Sequence, residues 1–167
     1  MAYNFKNIKV LVADDDATIR LVIANIFRTL KVRECLPAVT GNEALEIYKQ
    51  HKPDLILTDW QMQDMDGLDL CAAIRKLDRE SGEATPIILM SGFADESGVK
   101  RAIELGVNEF LLKPFSVNDL AARVAYVIDN PRECVITPNY FGPDRRRRDI
   151  PAYDGPERRK DKAGGDS

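Results

Sequence analysis

Charged and hydroxyl side chains stand at the ends of four apolar runs of this sequence. The run "VLVA" ends in the three carboxylates of Asp14–Asp16, and three later runs end in Asp59, Ser91 and Lys113. Neighbouring carboxylates repel one another, and the repulsion grows where water is partly excluded. Helix capping by Asp would account for one or two of the first three. A bound cation accounts for the whole cluster if a further carboxylate reaches the same place.

These residue types together suit phosphoryl transfer. Oxygen ligands without histidine or cysteine select a hard cation such as Mg²⁺, with Mn²⁺ as an alternative. Asp59 would be the nucleophile, as in enzymes that form an aspartyl phosphate. The metal and Lys113 would offset charge on the transferring phosphoryl oxygens, and Ser91 would hydrogen-bond the added anion.

The elements that must position these residues alternate between strand and helix over the first 130 residues. Five short apolar runs predict strands, and helical spacing or a capping signal follows each run. Thr40 with Glu43 forms a capping box, Ser116 is a further N-cap, and Gly106 is typical of the position after a helix. The strands are predicted at residues 8–13, 32–39, 54–59, 86–91 and 109–115, and the helices at about residues 19–30, 40–51, 67–77, 96–105 and 116–127.

This alternation predicts an α/β fold, a doubly wound parallel sheet covered by helices on both faces. Pro37 has no backbone N–H to donate, so the second strand is expected at an edge of the sheet. In such folds the functional site lies beyond the carboxyl ends of the strands. The four polar strand ends are therefore predicted to meet at one edge of the sheet.

At these residues the sequence resembles the receiver domain of two-component response regulators. The resemblance covers about residues 7–129 and rests on "VLVADDDATIR", "DLILTDWQMQDMDG", "PIILMSG" and "FLLKPF", in that order and spacing. It implies a flavodoxin-like fold with a five-stranded parallel sheet in the strand order 2-1-3-4-5. It also implies a two-component phosphorelay in which a histidine kinase or histidine phosphotransfer protein phosphorylates Asp59 to 4-aspartylphosphate with Mg²⁺.

The family pattern carries metal-binding roles onto particular residues. Asp15 would bind Mg²⁺ directly and Asp14 partly through water. Asp59 and the backbone carbonyl of Gln61 would complete the protein ligands. Asp16 falls outside this acid pair, so we interpret it as a helix cap.

The resemblance also implies a switch. Phosphorylation would draw Ser91 toward the phosphoryl group and let Phe110, at the switch-aromatic position, pack inward. That would reshape the face made by the fourth helix, fifth strand and fifth helix, where an effector protein would bind. The residue after Lys113 is Pro114, and the family usually has a cis peptide there. Gln63 departs from the pattern, since proline is usual at its position.

Composition and charge narrow the function classes. The chain has 167 residues, of which 31% are charged, and no apolar run approaches the roughly 20 residues of a membrane span. With no signal-peptide pattern, the protein is expected to be soluble and cytoplasmic. Residues 1–130 carry 15 basic and 20 acidic residues, which argues against nucleic acid or membrane binding by this part. The three cysteines are predicted to be reduced thiols.

The C-terminal part of the chain lacks sustained periodicity. We therefore divide the chain into a receiver domain, residues 1–130, and a largely irregular, flexible tail, residues 131–167. The tail has nine basic and seven acidic residues and an approximate repeat, "YFGPDRRR" at 140–147 and "YDGPERRK" at 153–160. The tail is either simply solvated or carries a linear motif that binds a protein or its own domain. Interspersed acids weaken a nucleic acid or lipid role for Arg145–Arg148.

The leading hypothesis is a single-domain response regulator that signals through protein contacts. It would phosphorylate and dephosphorylate itself, which is not turnover of a substrate in the usual enzymatic sense. One alternative is a phosphate shuttle or sink without an effector. Another is an adaptor that works through the tail without phosphorylation. The sequence does not name the kinase, the effector, the phosphoryl lifetime or the oligomeric state.

Overall fold

A computed structural model describes residues 4–93 and 95–145. Five strands form one parallel sheet, and five helices connect and follow them. In chain order these elements are β1 (Lys9–Ala13), α1 (Ala17–Thr29), β2 (Glu34–Ala38), α2 (Gly41–His51), β3 (Leu55–Asp59), α3 (Gly67–Ser81), β4 (Ile87–Ser91), α4 (Glu96–Glu104), β5 (Glu109–Leu112) and α5 (Val117–Asp129). The strand order is β2-β1-β3-β4-β5, which confirms the predicted flavodoxin-like fold.

The sheet is buried on both faces because its side chains alternate between two apolar clusters. Val10 and Val12 of β1 pack with Phe27 of α1 in one cluster. Leu11 and Ala13 of the same strand belong to the other cluster, which includes residues of α2, α3 and α4. Strands covered on both faces read as continuous apolar runs, which is why the sequence revealed them so clearly.

Side-chain caps fix the starts of the helices. The Asp16 carboxylate accepts two backbone N–H groups of the first turn of α1, at 2.8 and 3.3 Å, which confirms its interpretation as a cap. Ser116 and Asp119 form a complete capping box on α5. The box predicted for Thr40 and Glu43 is half formed. The Thr40 hydroxyl accepts the Glu43 N–H, whereas the Glu43 carboxylate accepts the backbone N–H of the residue before the cap.

Some element ends differ from the prediction. Helix α3 continues past residue 77 to Ser81 and ends at Gly82, whose φ of 83° suits glycine. Asp78, the residue after the predicted end, is buried beside Arg75. Strand β5 ends before the cis peptide Lys113–Pro114, so the lysine stands just beyond the sheet. Strand β2, which contains Pro37, lies at the edge as predicted.

Two further strands lie in the predicted tail. β6 (Cys134–Thr137) and β7 (Tyr140–Pro143) form an antiparallel pair that packs on α3. The sequence did not reveal these strands, since they show no clear alternation. We call residues 132–145 the C-terminal hairpin. It contains the start of the first repeat, whereas the second repeat lies outside the described residues, and the division of the chain at residue 130 stays a prediction.

None of the helices in the described part of the chain is both long and apolar enough to cross a bilayer.

Candidate functional site

The polar strand ends meet at one edge of the sheet, as the sequence predicted. Asp14 follows β1, Asp59 and Ser91 end β3 and β4, and Lys113 follows β5. The Lys113 ammonium donates to Asp59 Oδ1 at 2.9 Å and to Asp14 Oδ2 at 3.1 Å. One lysine therefore bridges two carboxylates that come from different strands.

A third carboxylate completes the cluster. Oxygen atoms of Asp14, Asp15 and Asp59 all lie within 4.8 Å of one another. Asp14 is fully buried, Asp59 is nearly fully buried, and Asp15 is exposed to solvent. Three carboxylates face a single lysine, so the ionised cluster has an excess negative charge. An oxygen-only donor set with this charge fits a hard divalent cation such as Mg²⁺.

The electrostatics of Asp59 and Lys113 reflect this arrangement. Burial raises the pKa of the Asp59 carboxyl, and the nearby Asp14 charge raises it further, against the opposing effect of Lys113. Burial alone would lower the pKa of Lys113, but its hydrogen bonds to Asp59 and Asp14 outweigh that effect and raise it. The lysine is therefore held charged between the two acids.

Asp14 is fixed by the start of α1. Its Oδ1 accepts the backbone N–H of Asp16 at 2.9 Å, and its backbone carbonyl accepts a hydrogen bond from Arg20 Nη1 at 2.6 Å. Arg20 was not predicted from the sequence. The available signal was a basic residue in the second turn of the helix after the acid run, where it can reach back to the loop.

The loop after Asp59 is held against the start of α3. The Gly67 N–H donates to the carbonyl of Trp60 at 2.7 Å. A Cβ at Gly67 would lie 2.3 Å from the carbonyl oxygen of Asp59, so the close approach requires glycine. The loop lines a cleft of about 650 Å³ that contains Asp59, Lys113 and Gln61, the predicted carbonyl ligand.

The two predicted switch residues lie on neighbouring strands. The Ser91 hydroxyl donates to the backbone carbonyl of Phe93 and accepts its N–H at 3.0 Å. Phe110 pairs with Leu89 in the sheet and packs, half-buried, against the cluster on the α2, α3 and α4 side. In this arrangement Ser91 is engaged by its own loop, although it also lines the cleft beside Asp59.

A known protein family matches this part of the chain. The family described as the response regulator receiver domain matches residues 10–125. The chain belongs to the response regulator receiver family. Receiver domains bind Mg²⁺ at an acidic pocket, and in this chain Asp14, Asp15 and Asp59 form an acidic cluster that could hold a metal ion. Receiver domains act in two-component signalling, where they interact with histidine kinases, phosphotransfer proteins and other effectors.

Individual relatives cover the receiver part of the chain. The chemotaxis protein CheY-3 of Vibrio cholerae is 31% identical over 124 residues, which are 74% of this chain and 94% of CheY-3. The transcriptional regulatory protein PdtaR of Mycobacterium tuberculosis is 34% identical over 125 residues, 75% of this chain and 58% of PdtaR. The chain spans about half the length of several transcriptional regulators that it matches.

Solved structures share the fold. CheY4 of Vibrio cholerae has a TM-score of 0.66 at 25% identity, over 71% of this chain and 96% of CheY4. A chain of the CheX-CheY-BeF3-Mg²⁺ complex from Borrelia burgdorferi has a TM-score of 0.67 at 27% identity, over 72% of this chain and 89% of that one.

Proposed function

We propose that this receiver is a phosphoacceptor response regulator in which Asp59 receives a phosphoryl group from a histidine kinase or histidine phosphotransfer protein. The observation that carries the proposal is the bridge from Lys113 to Asp59 and Asp14, at the edge of a cleft whose third acid, Asp15, is open to solvent. This arrangement supports the proposed roles of Asp59 as the nucleophile, of Lys113 as a fixed positive charge and of the carboxylate oxygens as metal ligands around one incoming phosphoryl group.

The chemistry assigned to Asp59 is a single displacement at phosphorus. A carboxylate oxygen of Asp59 forms a bond to phosphorus, and the bond between phosphorus and the donor atom breaks. The donor leaves with the bonding electron pair, and the product is an acyl phosphate on Asp59. Lys113 offsets negative charge on the transferred oxygens, because its ammonium is already held beside Asp59.

The metal residues proposed are Asp14, Asp15, Asp59 and the backbone carbonyl of Gln61. Bound Mg²⁺, or Mn²⁺ as an alternative, would supply positive charge that neutralises the carboxylates and the phosphoryl oxygens. Asp14 already engages the Asp16 N–H through Oδ1 and Lys113 through Oδ2, which supports the prediction that it acts partly through water. Asp15 is the most accessible of the three and suits direct ligation.

Phosphorylation would switch protein contacts through Ser91 and Phe110. The Ser91 hydroxyl would leave Phe93 and bond the phosphoryl oxygens, and Phe110 would pack into the space that opens. The face made by α4, β5 and α5 would then present a changed surface to an effector. The protein would act in the cytoplasm and would catalyse only its own phosphorylation and dephosphorylation.

The first experiment uses Trp60, which is the only tryptophan of the chain and is the residue after Asp59. Its fluorescence is recorded during addition of Mg²⁺ and then acetyl phosphate or beryllofluoride. We expect a saturable Mg²⁺ response and a second change that the Asp59→Asn variant lacks. Mass spectrometry should find the acetyl phosphate product on Asp59. If the fluorescence changes in neither step while the far-UV circular dichroism shows an intact fold, the proposal is refuted.

A phosphate shuttle or sink would use the same site and would differ only in the fate of the phosphoryl group. Rapid return of the phosphoryl group to a kinase or phosphotransfer protein, without any phosphorylation-dependent partner, would favour that alternative. An adaptor that acts through the tail would bind its partner equally well before and after phosphorylation.

A further inference from the structure

The C-terminal hairpin is built into the domain. Tyr140 and Phe141 are only 8% and 6% exposed. The Tyr140 hydroxyl donates to the carbonyl of Pro143 at 2.6 Å, and a Cβ at Gly142 would lie 2.7 Å from that hydroxyl. The glycine and proline of the first repeat therefore lie in β7 close against the side chain of the buried tyrosine.

A buried acid connects the hairpin to the sheet. Glu109 begins β5 and is 4% exposed. Its Oε2 lies 3.4 Å from Arg132 Nη2 of the hairpin, and its Oε1 lies 3.4 Å from Arg123 Nη1 of α5. Arg132 also donates to the carbonyl of Asp144 at 3.3 Å, so the same guanidinium joins both ends of the hairpin to β5.

A second contact lies just before β5. Arg75 of α3 donates to the carbonyl of Gly106 at 2.7 Å and to Asn108 Oδ1 at 3.0 Å, and is itself 4% exposed. The hairpin packs over this arginine, since a Cβ at Gly142 would lie 3.5 Å from Arg75 Nε. Arg75 of α3 therefore contacts both the loop from α4 to β5 and the hairpin.

Strand β5 thus runs from the hairpin to the functional site. Glu109 at its start is held by Arg132, Phe110 comes next, and Lys113 lies just past its end, at Asp59. Because packed interfaces change between discrete arrangements rather than deforming continuously, we expect a shift of β5 to change the Arg132 contact with Glu109.

We propose that the C-terminal hairpin braces β5 in the arrangement seen here and thereby opposes the rearrangement that phosphorylation of Asp59 brings about. The inference rests on the proposed function. In this arrangement Ser91 is hydrogen-bonded to Phe93. The contact of Arg132 with Glu109 stabilises the same arrangement. Linkage then requires the converse, that occupation of the site by a phosphoryl group weakens docking of the hairpin.

The first test measures beryllofluoride affinity in Mg²⁺ by the fluorescence of Trp60. Arg132→Met keeps much of the apolar stem and removes the charge at Glu109. We expect binding about two- to thirty-fold tighter, the range that coupling residues usually give. Arg79→Met is the matched control. It removes a hairpin contact, the 3.0 Å bond to the carbonyl of Thr137, without touching Glu109, so it should tighten binding much less than Arg132→Met does. Equal tightening by the two variants would show that the contact with Glu109 is not what braces β5.

A double-mutant cycle with Glu109→Gln assigns the effect to the ion pair. Once the Glu109 charge is gone, Arg132→Met should tighten binding much less than it does in the original chain. Full additivity of the two changes would show that Arg132 acts elsewhere and would overturn the inference.

Hydrogen exchange tests whether occupation of the site weakens docking of the hairpin. The measurement uses the unsubstituted chain, so it does not depend on whether a variant folds. The Asp144 N–H donates to the carbonyl of Glu133 at 2.8 Å, and the Asp144 carbonyl accepts a hydrogen bond from Arg132, the residue that contacts Glu109. Exchange of this N–H therefore reports whether the hairpin stays closed at the end that Arg132 joins to β5. Beryllofluoride with Mg²⁺ should accelerate its exchange, whereas Asp59→Asn should show no acceleration. Unchanged exchange, with Trp60 still reporting saturation, would refute the brace and leave the proposed function intact. No Asp59-dependent fluorescence response at all would refute the proposed function, and the inference with it.

Discussion

The Asp15→Asn variant should be more stable than the original chain in a chelator and less stable than the original chain in Mg²⁺. One carboxylate oxygen from each of Asp15, Asp14 and Asp59 lies within 4.8 Å of the other two. Two unit charges at that distance repel by about 1 kcal/mol at the dielectric constant of water and by about 3.5 kcal/mol at an effective value of 20. Because Asp15 is exposed, the lower figure applies to each of its two carboxylate neighbours, and attraction by the Lys113 ammonium that bonds both of them offsets about one of the two repulsions. Asp15→Asn should therefore raise the free energy of unfolding by about 1 kcal/mol in a chelator.

Magnesium should reverse that order. At a concentration one hundred times its Kd, a ligand that binds only the folded chain stabilises it by about 2.7 kcal/mol. The original chain should gain this amount, whereas Asp15→Asn should gain little because its most accessible metal ligand is lost. The original chain should then be the more stable by roughly 1.7 kcal/mol, the difference between that gain and the relieved repulsion.

Asp16→Asn is the matched control. It removes the same charge one residue away, and asparagine caps a helix as well as aspartate does. This variant should keep the full gain from Mg²⁺. The assay is urea unfolding of all three proteins at constant ionic strength, with chelator or with Mg²⁺. Lower stability of Asp15→Asn in chelator, or an undiminished gain in Mg²⁺, would refute the electrostatic reasoning about the cluster.

Three further predictions concern the same site. Lys113→Met should tighten Mg²⁺ binding roughly tenfold in a Trp60 fluorescence titration, because the competing cation is removed; weaker binding would contradict this. Because the pKa of Asp59 is raised above 3.8, the folded chain holds the proton of the Asp59 carboxyl more tightly than the unfolded chain does. Without metal, the free energy of unfolding should therefore fall as the pH rises from 3.8 through the pKa of the folded chain. Asp59→Asn should remove that fall in urea unfolding measured across the range, and an unchanged pH profile would count against it. Gly67→Ala should cost about 1–3 kcal/mol of unfolding free energy by overpacking against the Asp59 carbonyl, whereas Gly92→Ala, with nothing within 4 Å of its added Cβ, should cost far less. Equal losses in the two would show that the Gly67 contact relaxes freely.

The fold could be predicted well where each strand is buried on both faces. The run at Leu55–Asp59 is apolar until its last two residues, so its strand and its functional end are both visible in the sequence. Helix ends were less predictable. Asp78 is a hydrophilic residue, but Arg75 and the Tyr48 hydroxyl engage it inside the structure, which lets α3 continue past the predicted end.

The predicted acids, Ser91 and Lys113 lie at one edge of the sheet, whereas Phe110 lies within β5. The hydrogen-bond partners that hold the site were not visible in the sequence. The bond from Arg20 to the Asp14 carbonyl depends on how α1 folds back over the loop. The bond between Ser91 and Phe93 is a property of the loop after β4. Neither could be deduced from residue type, because many other polar groups could occupy the same positions.

The sequence by itself determined the sheet, the order of its polar strand ends and the acid-rich chemistry at their edge, because apolar periodicity and local capping are written in short stretches of chain. Only the tertiary structure decided that residues 134–143 form a hairpin on α3. No local sequence pattern predicts those strands, because the hairpin is stabilised by contacts with distant residues such as Glu109 and Arg79. An arginine and a buried acid 23 positions apart become partners only when the whole domain has folded.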